Sequence, residues 1–231
     1  DATGGSITFT GGTLNGRALA NVAVTMTGNL AGQNLAPGVY CIDAAAKAGT
    51  LTLSGPSNGS WVFLVDGALT GTSFSVAMAD GGQAGNVFWA PNGAFTMTTS
   101  AFIGNVLAGD ATGGSITFTG GTLNGRALAN VAVTMTGTSV ICCDEVVVSP
   151  PSAAPTNPGA GTGVAGEGEG PALVDLLSAN NFAILSQSGI TNTGSHLSAI
   201  TGNIGSSPIT AAAMNGVFCP EVTGTIYGVD A

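Results

Sequence analysis

The sequence predicts an all-β fold, a solenoid of stacked coils with little α-helix, on three observations. Charged residues make up only 6% of the 231 positions, against roughly a quarter in ordinary soluble domains. A long amphipathic helix therefore has nothing from which to build its wet face. Short apolar–hydroxyl alternations, punctuated by the chain's 38 glycines, arrive at the close spacing of an all-β chain. The turns between them seldom carry the Asn-Gly or Asp-Gly signal of a tight hairpin, so strand follows strand around wide corners rather than folding back.

Taken in order, the strands of residues 1–148 are SITFT (6–10), AVTMTG (23–28), LTLSG (51–55), WVFLVDG (61–67), NVFWA (86–90) and AFTMTTS (94–100). The alternation is plainest in Ser115-Ile116-Thr117-Phe118-Thr119, where Ile and Phe point one way and the hydroxyls the other. Rungs such as GGTLNGRALANVAVTMTG carry Ala, Val, Leu and Met that stack coil on coil. The segment DATGGSITFTGGTLNGRALANVAVTMTG stands at 1–28 and again, identically, at 110–137. Residues 149–171, SPPSAAPTNPGAGTGVAGEGEGP, have the composition of a linker. In residues 172–231, LVDLLSANNF suits one short helical turn, Thr/Gly/Ile strands follow, and ITAAAMNG (209–216) suits a short helix or a corner. These 60 residues are too few and too Gly-rich for a robust core of their own, so they are expected to complete a solenoid, their own or a neighbour's.

The net charge of −9 sets 12 acidic residues against Arg17, Arg126 and Lys47. Nucleic-acid binding is excluded, because phosphate neutralisation needs clustered Lys and Arg, and anionic membranes are excluded for the same reason. No apolar run reaches the roughly 18 residues of a spanning helix, so no membrane insertion is expected. The sequence opens without Met or a signal peptide and reads as a mature or trimmed product. Cys41, Cys142, Cys143 and Cys219 are disulfide candidates whose pairing the sequence leaves open. Their spacing is not that of a zinc site. Disulfides and low charge suit a secreted protein, extracellular or at the cell surface.

No enzyme is indicated, and neither cofactor nor metal is expected. The single histidine, His196, sits in the turn TGSHLS. Asp66 and Asp80 stand beside glycines, where Asp bonds to turn backbone, and Glu167 and Glu169 fall in the linker. Asp144-Glu145 beside Cys142-Cys143 lacks the pattern of a calcium loop. GGTLNG and GDATGG lack the strand–glycine–helix context of a nucleotide site. Arg17 and Arg126 are expected to lock corners by bonding to corner carbonyls.

LLSANNFAILSQSGITNTG followed by AITGNIGSSP closely resembles the opening of the ice-binding-like domain family. NLAGQNLAPGVYCID (29–43) resembles its Leu-x-Pro-Gly-Val-Tyr element, and WVFLVDGALT, NVFWAPNGAFTM, FIGNVLA and TLNGRALANVAVTMTG resemble its later coils in order. The resemblance implies a secreted, right-handed, three-sided parallel β-solenoid that adsorbs to ice. Two departures stand out. The opening segment comes last here, after the linker, and no segment looks like the long helix that the family lays along its solenoid.

An ice-adsorbing face should be flat, regular and weakly charged, which suits threonine. The candidates are Thr8, Thr10, Thr25, Thr27, Thr96, Thr98, Thr117, Thr119, Thr134 and Thr136. The expected partner is an ice surface or copies of the chain itself. The permuted order and the duplicated coil suggest the second, a self-assembling subunit of an extracellular filament or adhesin built by head-to-tail docking or segment exchange. Edge-guarding lysine, which would oppose it, is limited to Lys47.

Overall fold

The computed structural model describes residues 7–10, 15–16, 24–110, 113–142, 170–194 and 197–228. Arg17, Cys143, Asp144, Glu145, Glu167, Glu169, His196 and nearly all of the 149–171 linker lie outside them. The chain is a three-sided parallel β-solenoid. Every strand pair among the described residues is parallel, and the only helices there are short 3-10 turns, such as Leu177–Asn181 and Ala211–Ala213.

Face A is a ladder of Ile7–Thr10, Val24–Thr27, Gly38–Asp43, Trp61–Asp66, Val87–Pro91, Asn105–Ala108, Ala127–Ala129, Phe182–Ser186, Asn203–Ser206 and Ile226–Gly228. The second sheet bends at a corner into two further faces, because Leu69–Ala79 spans both. Face B contains residues 69–72, then Phe95–Thr98, Ile116–Thr119, Ala132–Thr136, Gly189–Thr193 and Met214–Asn215. Face C runs from Asn15–Gly16 and Asn34–Leu35 through residues 50–54, beyond the corner that Lys47–Ser54 also turns, and residues 75–79. It continues with Ala101–Ile103, Thr122–Asn124, Ser139–Ile141, Ala199–Thr201 and Val222–Thr223. From Phe95 onward the chain visits B, C and A in turn, and each coil stacks on the one before it.

The alternation read from the sequence fills the interior. On face A the inward column runs Val24, Tyr40, Phe63, Trp89, Val106, Ala127, Ile184, Ile204 and Ile226. Its three aromatic rings stack, with centroids 5.4 Å apart for Tyr40–Phe63 and 3.9 Å for Phe63–Trp89. The coils differ in length. The chain takes 23 residues from Tyr40 to Phe63 and 26 from Phe63 to Trp89, but 17 from Trp89 to Val106.

The two copies of the 28-residue segment each make a coil of the same length: Ile7 pairs with Val24 and Ile116 with Val133, a step of 17 residues in both. They start on different sides of the prism. In the copy at 110–137 the ITFT and VTMT strands lie on face B, and in the copy at 1–28 they lie on face A.

Residues 172–231 continue the stack on their own chain. Ala127 pairs with Ile184, Val133 with Ile190 and Val140 with Ile200. Before joining, the chain runs as a strap along the C-to-A corner. Gly170 lies against Pro37 and Ser60, whereas Asn180, several coils away, accepts hydrogen bonds from Arg126 Nε (3.1 Å) and Nη2 (3.0 Å). Arg126 is buried and also donates to Asn105 Oδ1 at 3.0 Å. It is the expected corner lock, and it fastens the strap as well.

Two expectations need correction. Cys41 and Cys219 are free thiols. They stand on coils at opposite ends of the stack, too far apart to bridge. Cys142 is buried and disulfide-bonded, so the disulfide expectation is overturned for Cys41 and Cys219 but not for Cys142. Lys47 is no edge guard. It is buried, its Nζ donates to Asp43 Oδ1 at 2.7 Å and to the Gly28 carbonyl at 2.5 Å, and it terminates the interior of face B at the coil where that face begins.

Candidate functional site

Five strands of face B share one tetrapeptide pattern, an aliphatic or aromatic residue followed by Thr-x-Thr: LTGT (69–72), FTMT (95–98), ITFT (116–119), VTMT (133–136) and ITNT (190–193). The first residue of each points inward and is fully buried: Leu69, Phe95, Ile116, Val133 and Ile190. The third points inward too, among them Met97, Phe118 and Met135. The second and fourth therefore point outward.

Backbone register aligns these outward residues coil by coil. One column is Thr70, Thr96, Thr117, Thr134 and Thr191, and its neighbour is Thr72, Thr98, Thr119, Thr136 and Thr193. Parallel-sheet geometry sets the columns' repeat at ~4.8 Å between coils and places the two threonines of a coil ~6.6 Å apart. All ten are exposed or half-buried, and the five strands carry no charged residue. The Thr136 and Thr193 hydroxyls hydrogen-bond to each other, and Thr193 Oγ1 also donates to the Met135 carbonyl at 3.3 Å. A close-packed inward layer directly beneath leaves the face little freedom to deform.

At the corner from B to C, each of the five coils turns through a residue with positive φ: Ser73 (49°), Thr99 (47°), Gly120 (65°), Gly137 (59°) and Gly194 (105°). Just past the corner the chain buries a polar side chain in several coils. Ser100 Oγ accepts from the Phe74 amide (3.2 Å) and donates to the Thr98 carbonyl (3.0 Å). Ser198 Oγ accepts from the Thr138 amide (3.2 Å) and donates to Asn192 Oδ1 (2.7 Å).

The other two faces differ. The outward column of face A that runs through Cys41, Leu64 and Ala90 continues in Leu107, Leu128 and Leu185. Face C shows a mixture such as Ser75, Ala101, Thr122 and Ser139, with Ala77, Ile103, Asn124 and Ile141 beside it. Face A repeats leucine over three coils, at Leu107, Leu128 and Leu185, but neither face carries two parallel columns of one side chain over five coils.

Of the ten threonines singled out from the sequence, Thr96, Thr98, Thr117, Thr119, Thr134 and Thr136 come together on face B. Thr8, Thr10, Thr25 and Thr27 do not. They lie on face A, where Thr8 and Thr25 head the Cys41–Leu64 column and Thr27 Oγ1 donates to the Phe9 carbonyl at 3.3 Å. Four residues of the ladder, Thr70, Thr72, Thr191 and Thr193, escaped notice. The repeated tetrapeptide was the signal that could have found them. Asp80, at φ 58°, bonds through its carboxylate to Ser54 Oγ and serves its turn. Among the described residues no group of three or more His, Cys, Asp or Glu could hold a metal ion, and no helix is long and apolar enough to cross a membrane.

A family model described as ice-binding-like matches residues 13–141. The chain is similar to an ice-binding protein of Flavobacterium frigoris, 39% identical over 111 residues, which are 47% of this chain and 39% of that protein. It is similar also to an ice-binding protein of a Colwellia species, 52% identical over 61 residues, 26% of this chain and 23% of the relative. A crystal structure of an ice-binding protein from an Antarctic Flavobacteriaceae bacterium aligns over 91% of this chain and 46% of its own, with 29% identity and a TM-score of 0.49. The chain thus spans less than half the length of each of these relatives.

Proposed function

The chain belongs to the ice-binding-like family, and we propose that it adsorbs to ice, without catalysis, through face B. One observation carries this reading: ten threonines in two registered columns on an uncharged face. Charged side chains hold water in shells that no ice lattice shares, and this face has none. Threonine offers a methyl group, which orders the water beside it, and a hydroxyl, which anchors that water. Repeated at two fixed spacings, the pair makes a regular grid. A crystal surface can engage such a grid at many points at once, and because the grid is held rigid beforehand, little freedom is lost on contact.

Ice forms outside cells, and we place the protein there, secreted or on the cell surface. The second reading, a self-assembling extracellular filament or adhesin subunit built by head-to-tail docking or segment exchange, is supported by the permuted order and the duplicated coil. Within one chain, residues 172–231 pair with Ala127–Ala129, Ala132–Thr136 and Ser139–Ile141, and the same strands of a second copy would offer the same register. The test is direct. The protein at micromolar concentration should facet growing ice crystals and slow recrystallisation, and a Thr117→Lys/Thr119→Lys variant should fold but do neither. A wild-type protein without effect on ice would overturn the proposal.

A further inference from the structure

The B-to-C corner is occupied by glycine in three coils, at Gly120, Gly137 and Gly194, and by Ser73 and Thr99 in the other two. All five positions have left-handed backbone. Glycine adopts it freely, whereas an L residue meets its own carbonyl, and a β-branched residue such as threonine is the least tolerant. The corner itself therefore gives no reason for a side chain at 73 or 99. Residues kept in this region against local preference point to a role beyond the turn.

Both side chains are exposed. The Ser73 and Thr99 hydroxyls lie 3.3 Å apart on adjacent coils, and either can donate to the other, which leaves further hydrogen-bonding capacity on each oxygen for water. They directly follow Thr72 and Thr98. On those two coils the row of hydroxyls is three wide (Thr70, Thr72, Ser73; Thr96, Thr98, Thr99), and on the next three coils it is two wide. The backbone beneath is pinned: the Thr99 amide donates to the Thr119 carbonyl at 2.8 Å, and Ser100 Oγ ties the corner from inside.

We propose that Ser73 and Thr99 form a third hydroxyl column that extends the ice-contacting surface around the corner at one end of face B. The inference rests on the reading of face B as the ice-adsorbing surface. It assigns contact with ordered water to two residues whose position would otherwise mark them as turn residues.

The test uses substitutions whose effects on stability and activity should run in opposite directions. Ser73→Gly/Thr99→Gly should leave the melting temperature unchanged or raise it. The same variant should need a several-fold higher concentration to reach the wild-type thermal hysteresis. The converse variant, Gly120→Ser, has room: a Cβ there would meet nothing closer than Thr99 Cγ2 at 3.7 Å. It should melt earlier and act more strongly on ice. Undiminished activity in the glycine double variant, or no gain in Gly120→Ser, overturns the third column. So does a fall in both stability and activity on going to glycine, which would make the two residues structural. Thr117→Lys/Thr119→Lys separates the role of face B from that of its corner. If it retains full activity, the reading of face B has failed. If it is inactive while Ser73→Gly/Thr99→Gly matches the wild type, only the corner column has failed.

Discussion

The copies of the 28-residue segment are identical in sequence and in the internal register of their two threonine-bearing strands, yet they present those strands to different surroundings. Thr117, Thr119, Thr134 and Thr136 stand in the middle of the face B ladder, with threonines on the coils to either side. Thr8 and Thr25 stand at one end of face A, above Cys41 and Leu64, and Thr10 and Thr27 beside them head the column of Asp43 and Asp66. Strand formation is local to the segment, because alternation and glycine corners travel with it. Membership of a functional surface is not local. It depends on the phase at which the segment enters the three-sided repeat.

The two copies should differ most on ice. Thr117→Lys/Thr119→Lys should abolish crystal shaping, whereas the same change at Thr8 and Thr10 should leave it intact; equal loss from both would mean that the two copies share one surface after all. Stability should separate them next. Phe118 is 1% exposed, and its replacement by alanine should cost about 3–5 kcal/mol in urea unfolding. Its counterpart Phe9 is only partly buried and should cost less than about 2 kcal/mol.

Arg126→Ala strands Asn105 Oδ1 and the Asn180 carbonyl, and about 2–3 kcal/mol should be lost. Hydrogen exchange should quicken first in residues 170–181. An unchanged exchange pattern there would contradict the strap anchor.

The smallest effect concerns acid. Gly28, the last residue of the first copy, donates its amide to Asp43 Oδ2 at 2.8 Å, whereas its counterpart Gly137 lies beside Leu197. Partial burial alone would raise the Asp43 carboxyl. The bond and charge of Lys47, with the Gly28 and Ala45 amides, outweigh that and hold it below the ordinary carboxylate value. A lowered carboxyl stabilises the folded state above its unfolded value and loses that contribution as pH falls through the folded one. The end carrying the first copy should therefore loosen at pH below about 4, and Asp43→Asn should remove that pH dependence.

Strands, coil stacking and the outward threonines of residues 94–136 were legible in the sequence because period-two alternation is a local signal. Thr70, Thr72, Thr191 and Thr193 carried a weaker form of that signal, because LTGT and ITNT hold Gly71 and Asn192 where the other strands hold a large apolar side chain, and it is the ladder register that puts them in line. The role of Lys47 was illegible for another reason. A buried lysine is defined by its partners, Asp43 and the Gly28 carbonyl, and the second comes from a neighbouring coil.

The strap from Gly170 to Asn180 changes how such a molecule comes apart. A stack joined only between nearest neighbours can fray from its weaker end, one coil at a time. Here a single stretch of chain touches the Pro37 and Ser60 corners at one point and is held by Arg126 at another. Opening the later coils therefore also releases a segment that rests on the earlier ones, and the losses fall together. The strap should couple the opening of the later coils to the earlier ones, so that the assembly unfolds more cooperatively than nearest-neighbour stacking alone would give.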